Sequence, residues 1–198
     1  MAEQDTTSTS QPSLLETGLQ ERLQAVKAVI LDVDGVLTDG SIYYDHTGRE
    51  MKRFHVADGL GIELLKHAGL RVAILSGRVS EAIARRAAEL KIAESYQGVR
   101  DKKAQIEKLR QQWEMKADEL LYVGDDLNDL PAFEAVGVRV AVANAVAELK
   151  ERAHYVTQTP GGSGAVREVC EWLLKARGEW DKAVEEYLQS RREVTSAS

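Results

Sequence analysis

The sequence predicts an α/β fold, built on a doubly wound, mostly parallel Rossmann-like sheet with a β-hairpin flap after the first strand. Apolar runs typical of buried parallel strands alternate with segments of helical periodicity. Two short β-forming segments flank a Gly-containing turn, which indicates a hairpin. Acidic, hydroxyl and basic residues follow several predicted strands, where open α/β sheets bind their ligands.

The first half of the chain supplies one strand, the hairpin and one helix. The apolar run 26–31 predicts a buried first strand, and it stops at Asp32. Residues 41–44 and 50–54 form the hairpin around the turn 45–48. Leucines at helical spacing predict a helix from Gly59, with Gly69 as its stop.

The second half alternates strand and helix, as expected for a parallel sheet. The predicted strands are 71–75, 92–96, 120–123, 138–142 and 155–156. The predicted helices are 80–90, 101–113, 127–135 and 145–152. A Gly-rich segment, 159–164, then precedes a last helical region.

Three regions are predicted along the chain. Residues 1–20 are polar and aperiodic and are expected to be disordered. Residues 21–177 form one globular domain, which suits a chain of 198 residues. Residues 178–198 form a helical tail that docks on its own domain or on a neighbouring subunit, because apolar residues recur there at helical spacing: Trp180, Val184, Tyr187 and Leu188.

Composition argues against several classes of protein. Acidic residues outnumber basic ones by 32 to 26, a net charge of −6, so we expect no nucleic-acid partner. The single cysteine, Cys170, permits no intramolecular disulfide and is expected to lie in the core. The polar N-terminus does not resemble a signal peptide, and no apolar run reaches the ~20 residues of a membrane helix. We therefore expect a cytoplasmic protein without a membrane partner.

Candidate functional residues follow the predicted strands and would meet at one edge of the sheet. They are Asp32, Asp34 and Thr38 after the first strand, Ser76, Gly77 and Arg78 after the second, Lys102 after the third, and Asp125, Asp126 and Asp129 after the fourth.

This set of residues suits phosphoryl transfer. Asp32 and Asp34 project to the same side of an extended segment, so that one can attack phosphorus while the other handles protons. With Asp125 they form an oxygen-rich cluster suited to Mg²⁺, which would screen the repulsion between nucleophile and phosphate. Ser76 and Lys102 would bind phosphate oxygens, although the neighbouring Lys103 competes for that role.

The segment 32–38 resembles the DxDGxxT signature of the haloacid dehalogenase superfamily, and Ser76, Lys102 and the segment 124–129 resemble its other motifs. The resemblance implies that Asp32 forms an aspartyl-phosphate and that Asp34 is the general acid and base. It implies Mg²⁺ ligation by Asp32, the backbone carbonyl of Asp34, and Asp125. It further implies that Asp126 and Asp129 orient these ligands.

The spacing of the motifs resembles that of a member without a cap domain, since only 42 residues separate Asp34 from Ser76. The segments 38–43, 54–62 and 161–168 are similar to the 3-deoxy-D-manno-octulosonate 8-phosphate phosphatase family, over about residues 25–177. That similarity implies a sugar-acid phosphatase of lipopolysaccharide precursor synthesis and a homotetramer with active sites between subunits. It adds Thr38, Gly77, Arg78, Asp58 and Arg167 as candidate substrate-binding residues.

Two alternatives stay open from the sequence. One is a phosphatase of a nine-carbon sugar acid 9-phosphate, because specificity depends on loop geometry. The other is a catalytically silent oligomerisation module, although such a module would be free to lose Asp34, Lys102 and Asp125.

Overall fold

The computed structural model describes residues 14–196, with side chains described over 18–192. Its main sheet has six parallel strands in the order β5–β4–β1–β6–β7–β8. These strands are β1 (Ala28–Leu31), β4 (Arg71–Leu75), β5 (Glu94–Tyr96), β6 (Leu120–Gly124), β7 (Val138–Ala141) and β8 (Tyr155–Val156). Strands β2 (Tyr43–Tyr44) and β3 (Glu50–Met51) form the antiparallel hairpin flap. The predicted fold class is confirmed.

Helices connect the strands and cover the sheet. They are α1 (Leu14–Ala25), α2 (Val56–His67), α3 (Glu81–Glu89), α4 (Lys102–Gln112), α5 (Leu130–Phe133), α6 (Ala147–Lys150), α7 (Ala165–Ala176) and α8 (Trp180–Ser196). Helix α2 packs against α7 and α8, and α7 also contacts α1, while α4 packs against α5. Between β1 and β4 the chain forms only the flap and α2, so no cap domain is inserted there.

Strand β1 lies at the centre of the sheet because it is apolar on both faces. All four of its residues are buried, and β4 and β6 pair with it on either side. Leu31 at its carboxyl end is paired with Ile74 of β4 and with Val123 of β6. The loops that follow these three strands therefore leave the sheet side by side, at one edge.

Helix α2 begins at Val56, three residues before the predicted start at Gly59. Two glycines inside this helix allow its neighbours to approach closely. A Cβ at Gly59 would lie 2.6 Å from Nη2 of Arg86, and one at Gly61 would lie 3.1 Å from Sγ of Cys170. Local helix propensity disfavours glycine, but the close packing of α7 on Gly61 favours it there.

The predicted disordered tail extends too far. Residues 1–13 lie outside the described part of the chain, but residues 14–20 belong to α1. Leu23 is buried, and Gln24 Nε2 donates to the carbonyl oxygen of Ala176 at 2.8 Å. These contacts with α7 stabilise a helix that its own weak periodicity did not reveal. The other predicted domain limits stay predictions.

Helix α8 docks on its own chain through most of the predicted stripe. Trp180, Val184 and Tyr187 pack against the core, and Tyr187 meets His67 of α2 edge to face at 5.9 Å. Leu188, in contrast, is half exposed. Cys170 is fully buried, as predicted. Within the described residues, no helix combines the length and the apolar character needed to span a membrane.

Candidate active site

The site begins at the end of β1, where the chain turns sharply after Asp32. Asp32 is 4% exposed, and its backbone N–H donates to Val123 of β6. The chain then reverses over the Asp32 loop, residues 32–40, whose turn uses Gly35 at φ +89°. The carboxylate of Asp125 lies where a Cβ at Gly35 would be, so the loop needs glycine for both its conformation and this close approach.

Thr38 stabilises the conformation of the Asp32 loop. Its side chain is completely buried, and Oγ1 donates to the carbonyl oxygen of Val33 at 3.3 Å. Oγ1 of Thr38 also accepts hydrogen bonds from the N–H groups of Gly35 and Gly40. Direct substrate binding by Thr38 stays a prediction, and these contacts do not support it.

The loop after β6 brings a second group of carboxylates to the same edge. Asp129 has no exposed surface, and its Oδ2 accepts the backbone N–H of Asp125 at 2.8 Å. Asp126 caps a short 3-10 turn, Leu127–Asp129, through the N–H of Leu127. Asp126 therefore shapes the loop, while Asp129 lies beneath Asp125 and fixes its backbone.

Lys102 links the two groups of carboxylates. It is the first residue of α4 and is 2% exposed, and its Nζ lies 2.9 Å from Oδ1 of Asp32 and 2.5 Å from Oδ1 of Asp129. Lys103 instead points outward and pairs with Glu134 at 2.8 Å. Of the two lysines, the structure brings Lys102 to the site.

Tyr122 lies under this network and was not predicted as a site residue. It is fully buried in β6, and its hydroxyl donates to Oδ1 of Asp129 at 2.6 Å. The signal in the sequence was a single hydroxyl-bearing side chain within an otherwise apolar strand. A buried hydroxyl needs a partner, and here that partner is a carboxylate of the site.

Three carboxylates fit a divalent cation. Asp32, Asp125 and Asp129 each offer one oxygen, and these oxygens lie within 4.8 Å of one another. Burial and the neighbouring carboxylate of Asp129 raise the pKa of Asp32 to about 7. Burial and the neighbouring carboxylates, chiefly that of Asp32, raise the pKa of Asp125 to about 8. Lys102 supplies only one compensating charge. An oxygen-only, electron-rich cluster of this kind suits Mg²⁺.

Asp34 faces away from this carboxylate cluster, toward the flap. Its Oδ1 accepts a hydrogen bond at 2.5 Å from Lys52, whose side chain is only 1% exposed. Lys52 also lies 3.1 Å from Glu50, which in turn binds Arg78 at 3.0 Å. Lys52 and Glu50 were not predicted as site residues. The signal in the sequence was two charged residues on either side of Met51, in the predicted hairpin segment beside the Asp32 loop.

The loop after β4 contributes Ser76, Gly77 and Arg78. Ser76 is 1% exposed, and its Oγ accepts the N–H of Arg78 at 3.1 Å. Gly77 is exposed and lies near Asn128, so this loop meets the β6 loop across the end of β1. The Arg78 side chain is 45% exposed and remains available to a ligand.

Asp58 and Arg167 serve the contact between α2 and α7. Asp58 is 2% exposed, and its Oδ1 accepts the backbone N–H of Arg167 at 2.8 Å. The Arg167 guanidinium lies over the ring of Trp180 at 5.2 Å. Substrate binding by these two residues stays a prediction, and their contacts explain them structurally.

The Gly-rich segment packs directly on the Asp32 loop. The N–H of Gly162 donates to Val36 at 3.0 Å, and that of Gly161 donates to Oδ1 of Asn144 at 2.7 Å. A Cβ at Gly161 would overlap the carbonyl oxygen of Gly35. The segment therefore fixes the loop that carries Asp32.

Comparisons with known proteins give the family. Residues 92–169 match the haloacid dehalogenase-like hydrolase family. The chain is 45% identical over 160 residues to 3-deoxy-D-manno-octulosonate 8-phosphate phosphatase KdsC of Haemophilus influenzae, covering 81% of this chain and 89% of the relative. The chain belongs to the 3-deoxy-D-manno-octulosonate 8-phosphate phosphatase family. The Escherichia coli K12 member of that phosphatase family is 44% identical over 162 residues, 82% of this chain and 86% of its own.

Solved structures of this phosphatase family share the fold. The Yersinia pestis member superposes with a TM-score of 0.81 at 41% identity, over 83% of this chain and 89% of its own. The Moraxella catarrhalis member, solved with a magnesium ion, a phosphate ion and a KDO molecule, has a TM-score of 0.82 at 38% identity, over 85% and 97% of the two chains. The predicted membership of the haloacid dehalogenase superfamily is thus confirmed.

Proposed function

We propose that this protein is a Mg²⁺-dependent phosphatase that hydrolyses 3-deoxy-D-manno-octulosonate 8-phosphate to 3-deoxy-D-manno-octulosonate and phosphate. The observation that carries the proposal is the buried pair of Asp32 and Lys102, held beside Asp125 and Asp129 in a member of that phosphatase family. Asp32 is the nucleophile, and Asp34 is the general acid and base.

The reaction has two halves. In the first, a carboxylate oxygen of Asp32 forms a bond to phosphorus, the bond from phosphorus to the sugar oxygen breaks, and Asp34 gives its proton to that oxygen. In the second, Asp34 takes a proton from water, the water oxygen attacks phosphorus, and the bond to Asp32 breaks. Phosphate leaves, and both aspartates return to their starting states.

The other residues hold charge and geometry. Lys102 fixes Asp32 and offsets negative charge that builds up around phosphorus. Ser76 would bind a phosphate oxygen, and the exposed Gly77 and Arg78 would contact the substrate. Asp32, the carbonyl of Asp34, and Asp125 would hold Mg²⁺, with Asp129 and Asp126 setting their loop; the ion would neutralise charge between nucleophile and phosphate.

Phosphate release from a panel of sugar phosphates tests this proposal. We expect Mg²⁺-dependent turnover of the octulosonate 8-phosphate, at least tenfold faster than that of a nine-carbon sugar acid 9-phosphate. Asp32→Asn should reduce turnover by at least about 1,000-fold, because no acyl-phosphate can form. Asp101→Asn, which changes only the cap of α4, is the matched control.

Two outcomes would overturn the proposal. Faster turnover of the nine-carbon substrate would assign the site to that alternative. Well-folded protein with no activity on any substrate would favour the silent oligomerisation module.

We also propose a homotetramer with active sites between subunits. The flap exposes a group of large apolar side chains, Ile42, Tyr43, Tyr44 and Met51, each 41–63% exposed. Exposed apolar surface on an isolated two-stranded hairpin favours association. Light scattering should give a mass near four chains, and the double variant Tyr44→Ser with Ile42→Ser should lower that mass. A stable wild-type monomer would contradict the tetramer.

The cytoplasmic location stays a prediction that cell fractionation can check.

A further inference from the structure

Lys52 is a buried cation whose contacts belong neither to the core nor to the carboxylate cluster. Its side chain is 1% exposed, and its ammonium group lies between two carboxylates, Asp34 at 2.5 Å and Glu50 at 3.1 Å. Removing an ammonium group from water is costly unless ion pairs and hydrogen bonds compensate. The burial of Lys52 therefore indicates that Asp34 and Glu50 need its positive charge at this position.

The contact leaves one specific atom of Asp34 free. Lys52 occupies Oδ1, whereas the cation near Oδ2, Nε of Arg78, is 3.9 Å away, beyond hydrogen-bonding distance. The carboxyl group is 25% exposed. Oδ2 is thus the atom that can present a proton to a leaving group, and Lys52 sets the direction in which it points.

Lys52 is itself held from two sides. Glu50, two residues before Lys52 in the chain, accepts from Nη2 of Arg78 at 3.0 Å. The charges alternate along the series Arg78, Glu50, Lys52 and Asp34, which joins the loop after β4 to the flap. A flexible lysine is thereby kept in one position, as a residue that orients a catalytic acid must be.

We propose that Lys52 is the positioning residue for Asp34: it anchors Oδ1 so that Oδ2 faces the leaving-group oxygen. This inference rests on the proposed function, because it assigns the partner of the general acid.

The test compares two leaving groups in Lys52→Met. The sugar alkoxide needs a proton to depart, whereas 4-nitrophenolate departs readily without one. We expect the single-turnover rate on the octulosonate 8-phosphate to fall about 100-fold, the order of a general-acid contribution. The single-turnover release of nitrophenolate from 4-nitrophenyl phosphate should fall less than about threefold, because this step precedes the hydrolysis of the aspartyl-phosphate, and the KM for the octulosonate 8-phosphate should change little.

Arg49→Met is the matched control, because it removes a cation from the same flap. Arg49 pairs with Glu81 of α3, and both side chains are exposed. This variant should leave both rates unchanged. If Lys52→Met does not fold by circular dichroism, the charge-balanced double variant Glu50→Gln with Lys52→Gln takes its place, with the same expected difference between substrates.

Each other result overturns the inference. Equal losses on both substrates would assign Lys52 to overall structure or to phosphate, and a raised KM alone would assign it to substrate binding. Unchanged rates would remove it from the reaction. In all three cases an active wild-type enzyme leaves the proposed function intact, whereas an inactive wild-type protein would overturn the function itself.

Discussion

Nζ of Lys102 lies 2.9 Å from Oδ1 of Asp32, and both side chains are at least 95% buried. The pair joins the first residue of α4 to the end of the central strand, although 70 positions separate the two in the chain. Asp129 completes it from below at 2.5 Å. Asp32 is therefore fixed by a cation from a distant part of the chain.

Lys102→Met should destabilise the metal-free protein at about pH 8 by about 3–5 kcal/mol, because it leaves buried carboxylates without their cation. Turnover should fall at least about 100-fold. Urea unfolding and phosphate release measure the two effects. Lys103→Met, in an exposed pair with Glu134, should change neither appreciably. A larger loss of activity in Lys103→Met would reverse the assignment.

Stabilisation by Mg²⁺ should increase with pH. The pKa of Asp32 is raised to about 7 and that of Asp125 to about 8, so the folded metal-free protein retains protons that the unfolded chain releases above about pH 4. These two groups therefore contribute stability to the metal-free protein that is lost as pH rises through about 4 to 8. Because Mg²⁺ binds the ionised carboxylates, it should raise Tm more at about pH 8 than at about pH 5.5.

Thermal unfolding with and without saturating Mg²⁺ measures this difference. Asp125→Asn, which removes one candidate ligand, should abolish most of the shift at both pH values. The same rise in Tm at both pH values in the wild-type protein would contradict the assigned ionisation of the cluster.

Tyr122→Phe should lower both stability and turnover. It removes the hydroxyl that donates to Asp129, a hydrogen bond to a charged group worth about 1.5–3 kcal/mol. We expect turnover to fall about tenfold, because Asp129 positions Lys102 and the backbone of Asp125. Tyr155→Phe is the control: it breaks a 2.7 Å bond to Glu168 between β8 and α7. If Tyr155→Phe lost as much turnover as Tyr122→Phe, the loss would be a general effect of lower stability and would not arise from the contact with Asp129.

Gly161→Ala should impair catalysis by displacing the Asp32 loop. The new Cβ would overlap the carbonyl oxygen of Gly35, so either that loop or the Gly-rich segment must move. A misplaced nucleophile should reduce turnover at least about tenfold. Gly18→Ala is the control, since a Cβ there meets nothing within 4 Å. Wild-type turnover in Gly161→Ala would show that the segment does not position the loop.

The alternating pattern predicted the parallel sheet, because buried strands and amphipathic helices each leave a local signature in apolar spacing. It also predicted which residues follow the strands, so Asp32, Ser76, Lys102 and Asp125 could be expected at one edge. The local pattern did not predict that α2 begins at Val56, because glycine is unfavourable inside a helix. Gly59 and Gly61 lie where α3 and α7 approach this helix closely. Helix α1 was missed for a similar reason, because contacts with α7 stabilise it.

The sequence by itself therefore determined the fold class, the family and the strand ends that carry the acidic residues. Only the tertiary structure decided between Lys102 and Lys103, placed Thr38 inside the loop, and brought Lys52 and Tyr122 to Asp34 and Asp129. The physical reason is that motif spacing records local chain geometry. Partners far apart in the chain are fixed by how the flap and the strands pack, and burial then makes each of their charges require a specific neighbour.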